Sequence, residues 1–290
     1  MSGFVLTHLT SFLQDRKIKG RSLKTISLYQ SELRLFQNWL GEREVNATTL
    51  REYFLELGTH RNRGGVHCSY RVIKSFLNWL VEEEILVKNP IDKVKIPSSK
   101  LAPLPEYTQE EVKKLLKVAN LRDTAIIKCL IDTGCRANEL LSLQIKDIHF
   151  TSGQVLIRHG KGDKPRIVWL GKEARKSLQE YLSTREVTPE SPLFINQRGE
   201  KLAFFGLREI IKRLCKRAGV THRGLHSFRR YFALTLYRRG IDILSISRLL
   251  GHTSIEVTKR YLNINNEDLQ RVMESASPAD FLFQDTQKCT

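Results

Sequence analysis

The chain has 290 residues, 41% of them hydrophobic, and a formal net charge of +17. That apolar content excludes an intrinsically disordered chain, and the length fits one large domain or two smaller ones. The charge exceeds what solubility needs and points to a polyanion, most simply nucleic acid; an anionic membrane fits less well, because Lys and Arg are spread over many segments and no single basic amphipathic helix stands out.

No window approaches the roughly 18 apolar residues of a membrane span. The N-terminus has no charged region leading into an apolar one, so a soluble, cytoplasmic protein is expected. Cys68, Cys129, Cys135, Cys215 and Cys289 are scattered, with no CxxC or His/Cys ligand spacing. They fit a reducing compartment and argue against a structural metal.

Residues 4–84 read as almost wholly helical. Val5, Leu9, Phe12 and Leu13 form a first apolar stripe. Ser22 or Thr25 opens a second helix, carried by Ile26, Tyr29, Leu33, Phe36, Trp39 and Leu40 and stopped by Gly41. Thr48 or Thr49 caps a third, with Leu50, Tyr53, Phe54 and Leu57. Arg61 to Gly65 is expected as a loop, and Tyr70, Ile73, Phe76, Leu77, Leu80 and Val81 carry a fourth helix. Such helices make an independent bundle, expected over residues 1–88. Arg61 and Arg63 in the loop, with Arg71 and Lys74 off the Phe76/Leu80 stripe, are its candidate DNA contacts. A merely solvated face has the same pattern.

Residues 89–106 hold Pro90, Pro97, Pro103 and Pro105, a density that prevents a helix or central strand, so an interdomain linker is expected there. A second domain follows over 107–276, with a tail at 277–290. It opens with the capping-box pattern Thr108 to Glu111 and a helix through Val112, Leu115 and Leu116. A strongly apolar helix over 123–132 ends at Thr133-Gly134, and Cys135-Arg136-Ala137-Asn138-Glu139 restarts one. Arg136 and Glu139 are three apart, so the carboxylate can hold one edge of the guanidinium and leave the other for a ligand.

Residues 154–170 form a hairpin: Val155, Leu156 and Ile157, then Ile167, Val168 and Trp169. Its basic tip runs His159-Gly160-Lys161-Gly162-Asp163-Lys164-Pro165-Arg166, with Lys161 unshielded between glycines; Lys164 and Arg166 are further candidate DNA contacts. Helices over 173–181 and 205–218 lead to the stretch from Leu225 to Leu262. There His226 and Arg229 share one helix face, Gly240 ends that helix and Asp242 caps the next. Ile243, Ile246, Leu249 and Leu250 run to Gly251 and His252, and Thr253 with Glu256 forms a capping box before Tyr261. The fold class is thus mainly α with a small antiparallel β-sheet.

Taken singly these residues are ordinary: His226 and His252 as core or capping histidines, Arg229 and Arg230 as a basic face, Tyr261 as a packing residue. Taken together, Thr133 to Leu140, Gly160-Lys161-Gly162, His226-Ser227-Phe228-Arg229, Leu250-Gly251-His252 and Tyr261 resemble the tyrosine site-specific recombinases, or phage-type integrases. In size and layout the chain is most similar to the Xer-type members. The resemblance covers the whole chain and implies a helical N-terminal DNA-clamp domain joined to an α+β catalytic domain. One departure lies in the usual His-x-Leu-Arg-His box, where Phe228 and Arg230 stand for the Leu and the last His.

The chemistry suits these groups. Tyrosine is a weak nucleophile, with a pKa near 10. Its attack on a phosphodiester needs the developing phosphorane charge neutralised, which Arg136 and Arg229 can do with paired hydrogen bonds. His226 and His252 can add hydrogen bonds or relay the tyrosine proton. The resemblance implies that Lys161 protonates the leaving alkoxide, so no metal or other cofactor is expected. It also implies a covalent 3′-phosphotyrosine, a Holliday-junction intermediate, and a homotetramer, or a heterotetramer with a related recombinase, on double-stranded DNA carrying specific sites. Arg230 is expected to touch that DNA. The tail, with Phe281, Leu282 and Phe283, is expected to pack on its own domain or on a neighbouring protomer. Two rivals remain at this point: relaxation of DNA as by a type IB topoisomerase, and a non-catalytic helix-turn-helix regulator.

Overall fold

The computed structural model describes residues 4–96, 106–158, 165–252, 254–259, 262, 270 and 274. The chain divides into two units, Met1–Leu101 and Ala102–Thr290. It is mainly helical with one three-stranded antiparallel sheet, the fold class expected from the sequence. No helix among the described residues is long and apolar enough to cross a membrane.

The first unit holds α1 (Phe4–Ile18), α2 (Leu23–Leu40), α3 (Ala47–His60) and α4 (Arg63–Glu82). Ser22 caps α2 by accepting from the Thr25 N–H. Asn46, rather than a threonine, caps α3: its Oδ1 accepts from Thr48 and Thr49 N–H at 2.9 and 3.0 Å. Asn62 does the same for α4, accepting from Gly65 N at 2.9 Å, so Arg63, Gly64 and Gly65 form a first helical turn where a loop was expected. A good N-cap overrides the poor helix propensity of two glycines.

Leu33, Phe36, Leu50, Ile73, Phe76, Leu77 and Leu80 are fully buried in this core. Phe12 packs edge-on to Phe76 at 5.3 Å. The core extends further than the linker expectation allowed. Pro90–Lys93 forms a 3-10 turn, capped by Asn89 on the Ile91 N–H at 3.0 Å, and Ile91 and Val94 are buried with the helices. Proline forbids a helix interior but suits a first turn, where no N–H is needed. Residues 97–105, with the other three prolines, lie outside the described residues.

The second unit holds α5 (Gln109–Val118), α6 (Leu121–Thr133), α7 (Ala137–Ser142), β1 (Ile148–His149), β2 (Gln154–Ile157), β3 (Arg166–Trp169), α8 (Lys172–Leu182), α9 (Phe204–Ala218), α10 (His226–Arg238), α11 (Ile243–Leu250) and α12 (Ile255–Lys259). Thr108 and Glu111 form the reciprocal capping box at 3.2 and 2.8 Å. The sheet order is β1-β2-β3, with Val155 opposite Val168 and Leu156 opposite Ile167. Two-residue β1 carries no periodicity and was invisible in the sequence. Val155, Ile157 and Val168 enter a core shared with Leu115, Ile126, Ile127, Leu178, Leu207, Ile211 and Phe228. Phe232, Ala233, Leu234, Ile246, Leu250 and Leu262 form a smaller cluster that seats α11 on α10.

Candidate active site

The site is built where the ends of α6 and α11 meet α10. Gly134 ends α6 with φ 57°, and a Cβ there would lie 2.4 Å from Phe232 Cδ1. Only glycine gives both the left-handed cap and the close approach of α10. The Gly134 carbonyl then faces α10 and accepts from Arg229 Nη1 at 2.6 Å. Arg229 Nη2 donates to the Leu250 carbonyl, at the end of α11, at 2.5 Å. One guanidinium, 1% exposed, thus ties two helix C-termini whose carbonyls lack intrahelical donors.

Arg136 is the N-cap residue of α7. Its backbone N–H and its Nη1 both donate to Glu139, each at 2.7 Å. Arg166 grips the same carboxylate from β3, with Nη1 and Nη2 at 3.1 and 2.8 Å, and its Nε donates to the Leu249 carbonyl at 3.2 Å. It crosses the end of α11 under Gly251 (φ 66°), where a Cβ would sit 2.8 Å from Arg166 Cδ. Glu139 is 4% exposed, while the Arg136 side chain keeps 29% of its surface open. Burial alone would raise the Glu139 carboxyl, but hydrogen bonds from Arg166 and Arg136 outweigh it and hold the pKa at about 2.

A cavity of about 420 Å³ opens on this cluster, lined among others by Arg136, Asn138, Phe204, Arg208, His222 and His226. His252 follows Gly251, and its Nδ1 is 2.7 Å from Thr258 Oγ1. Thr258 is fully buried, so this contact sets the ring's orientation. Burial and then the charges of Arg229, Arg136, His226 and Arg166 push His252 down to about 3. Burial, then Arg229, Arg230 and Arg136, push His226 down to about 4; since His226 keeps solvent contact, the like charges are its more durable cause. Both imidazoles are neutral near pH 7, so each ring offers one hydrogen-bond donor and one acceptor.

Those shifts tie stability to pH. Between pH 6.5 and the native values an unfolded histidine binds a proton and the folded one does not, so acid favours unfolding. The histidine contribution is complete above about pH 6.5 and is lost as pH falls toward 3. The urea midpoint of the wild-type chain is expected to drop more steeply from pH 6.5 to 4 than that of His252→Gln. Parallel pH profiles would remove His252 from this role.

Arg136, His226, Arg229 and His252 are therefore brought together, with Arg136 held by Glu139. Lys161, Lys164 and Tyr261 lie outside the described residues, as do Thr253 of the expected capping box and the tail. The candidate DNA contacts divide. Arg63 and Arg71 are exposed, and Lys74 pairs with Asp92 at 3.2 Å on the surface. Arg61 turns inward to the buried Glu32 (2.9 and 2.8 Å) and to Ser69 (3.0 Å), because that carboxylate needs a counter-charge. Arg166 braces Glu139 as described. Arg230 is 3% exposed, and its charge bears on His226. Phe228 fills the box's altered position as a fully buried ring 4.7 Å from Tyr107.

Thr258, the bracing role of Arg166 and the two carbonyls on Arg229 were missed from the sequence. Thr258 had one faint mark, its place three residues before Tyr261; the others depend on contacts far apart in the chain.

Residues 106–268 match the model of the phage integrase family. The chain is 30% identical to tyrosine recombinase XerC of Thermodesulfovibrio yellowstonii, over 93% of this chain and 96% of that one. It is 30% identical to tyrosine recombinase XerC of Bacillus subtilis, over 91% and 93%. Among solved structures it is similar to XerH site-specific recombinase bound to palindromic difH substrate in a post-cleavage complex, at 26% identity and TM-score 0.74, covering 91% of this chain and 82% of that one.

Proposed function

Because the chain belongs to the phage integrase family and is a tyrosine site-specific recombinase, we propose that Tyr261 is its nucleophile and the Arg136–Arg229 cluster its phosphate site. The chain binds double-stranded DNA at a specific recombination site, and the XerH–difH complex is the similar case. The observation that carries the assignment is the concentration of arginines beside two neutral histidines: Arg136 and Arg166 held by the buried Glu139, with Arg229 bearing on both imidazoles and Arg230 on that of His226. Such a cluster is built to receive an anion.

In this mechanism the Tyr261 oxygen attacks the scissile phosphorus, and the bond to the 5′-oxygen breaks. Arg136 and Arg229 stabilise the equatorial oxygens, and a neutral imidazole at 226 or 252 hydrogen-bonds to them or takes the phenolic proton. Lys161 gives its proton to the departing 5′-oxygen. The 3′-phosphotyrosine keeps the bond energy, so the reverse attack by a 5′-hydroxyl rejoins strands without ATP. A Holliday junction and a tetramer of this chain, or one shared with a related recombinase, complete strand exchange. Residues 1–88 clamp the DNA, with the exposed Arg63 and Arg71 as contacts. Neither topoisomerase-like relaxation nor a non-catalytic regulator is favoured, since the recombinase relatives match nearly end to end.

The test uses a nicked duplex carrying a site recovered by selection from randomised DNA. Wild type should leave a slow-migrating covalent adduct on a denaturing gel, and Tyr261→Phe none while binding equally. An adduct with both chains would sink the nucleophile assignment; binding with no adduct from either would sink cleavage by this chain alone.

A further inference from the structure

Strand cleavage uses the Arg136–His226 wall of the 420 Å³ cavity and leaves another wall, the first turn of α9, without a role. Phe204 lines the cavity there and is 43% exposed; its neighbour Phe205 is 75% exposed. Their rings stand edge-on at 6.2 Å. Phe205 has no route inward, because Leu207, Ile210, Ile211 and Leu214 already hold the opposite face of α9 in the core. An exposed aromatic pair on a rigid helix, next to a cationic site, calls for a partner surface.

The rest of the outward face identifies that surface. Arg208, Lys212 and Lys216 follow Phe205 at intervals of three, four and four residues, all exposed. Lys212 meets Glu209 only at 3.9 Å and stays 63% exposed. A helix lying in a DNA major groove presents this order, with its N-terminal side chains at base edges and cations along its length at phosphates. Phenylalanine offers no hydrogen bond to a base edge. The apolar group that a major groove displays is the thymine C5 methyl.

We propose that Phe205, in the first turn of α9, selects a thymine close to the cleaved phosphate through its C5 methyl. The placement near the cleavage point rests on the recombinase assignment above, because Phe204 shares the cavity with Arg136 and His226.

The full-length chain and its selected duplex test this by fluorescence anisotropy. Deoxyuridine keeps every hydrogen-bonding group of thymine and lacks only the methyl. Replacing the selected thymine with deoxyuridine should weaken wild-type binding about fourfold, the effect of exposing one buried methyl. Phe205→Ala, at an exposed position, should keep the wild-type melting temperature and bind the two duplexes equally. Lys212→Ala should weaken both duplexes alike and lower the salt slope by about 1. Wild-type indifference to deoxyuridine at every thymine of the site would overturn the proposal, as would discrimination that survives in Phe205→Ala. Adduct formation that persists in either case would leave the recombinase assignment standing; loss of all site-specific binding by wild type would instead remove that assignment, and this proposal with it.

Discussion

Replacing Arg229 with lysine is expected to cut the rate of covalent adduct formation by at least about 10²–10³, the usual loss when one oxyanion donor is removed. The charge survives this change, but the geometry does not. The guanidinium spans two carbonyls, Gly134 at 2.6 Å and Leu250 at 2.5 Å, and so is held rigidly beside His226 and His252. A lysine ammonium is a compact point charge on a flexible stem, which cannot reproduce that fork. Arg229→Ala goes further and strands two buried carbonyls, each costing about 1–3 kcal/mol. Urea unfolding of both variants separates the two effects. A lysine variant that cleaves at the wild-type rate would show that the bidentate grip is irrelevant to the reaction.

Glu139→Gln is expected to destabilise the second unit by about 3–5 kcal/mol, the cost of removing one partner from a buried ion pair. Here a single carboxylate answers both Arg136 and Arg166, and the amide leaves their charges facing each other. Cleavage should also fall by about 10², because Arg136 loses the hold that aims it at the cavity. The pH dependence gives a separate signature. Glu139 has a folded value of about 2, below its ordinary 4.5, so its contribution is complete above pH 4.5 and is lost as pH falls through 2. The stability gap between wild type and Glu139→Gln should therefore narrow from pH 5 to pH 2. A constant gap, or no gap at pH 7, would mean that Glu139 is only a space-filling residue.

The expected helices and hairpin were legible because their causes are local. The Thr108–Glu111 capping box, the Gly134 and Gly251 stops and the Asp242 cap all act within one helical turn of themselves. Errors came where two local cues competed. Gly64 and Gly65 read as a loop until Asn62 supplied a cap, and Pro90 read as a breaker although a first turn accepts it. Arg61 and Arg230 read as surface cations from composition alone. Their burial answers to Glu32 in one case and to the packing of α10 in the other.

By itself, the sequence determined the helical stripes, the caps and the order of Arg136, His226, Arg229, His252 and Tyr261, since each rests on residue type and short spacing. The tertiary structure alone decided which groups those residues touch. Arg229 meets a carbonyl 95 positions away and another 21 away, and Arg166 reaches Glu139 across 27. Such bonds exist only after α6, α11 and β3 have packed around α10, and no periodicity within a few turns encodes where a distant backbone carbonyl will come to rest.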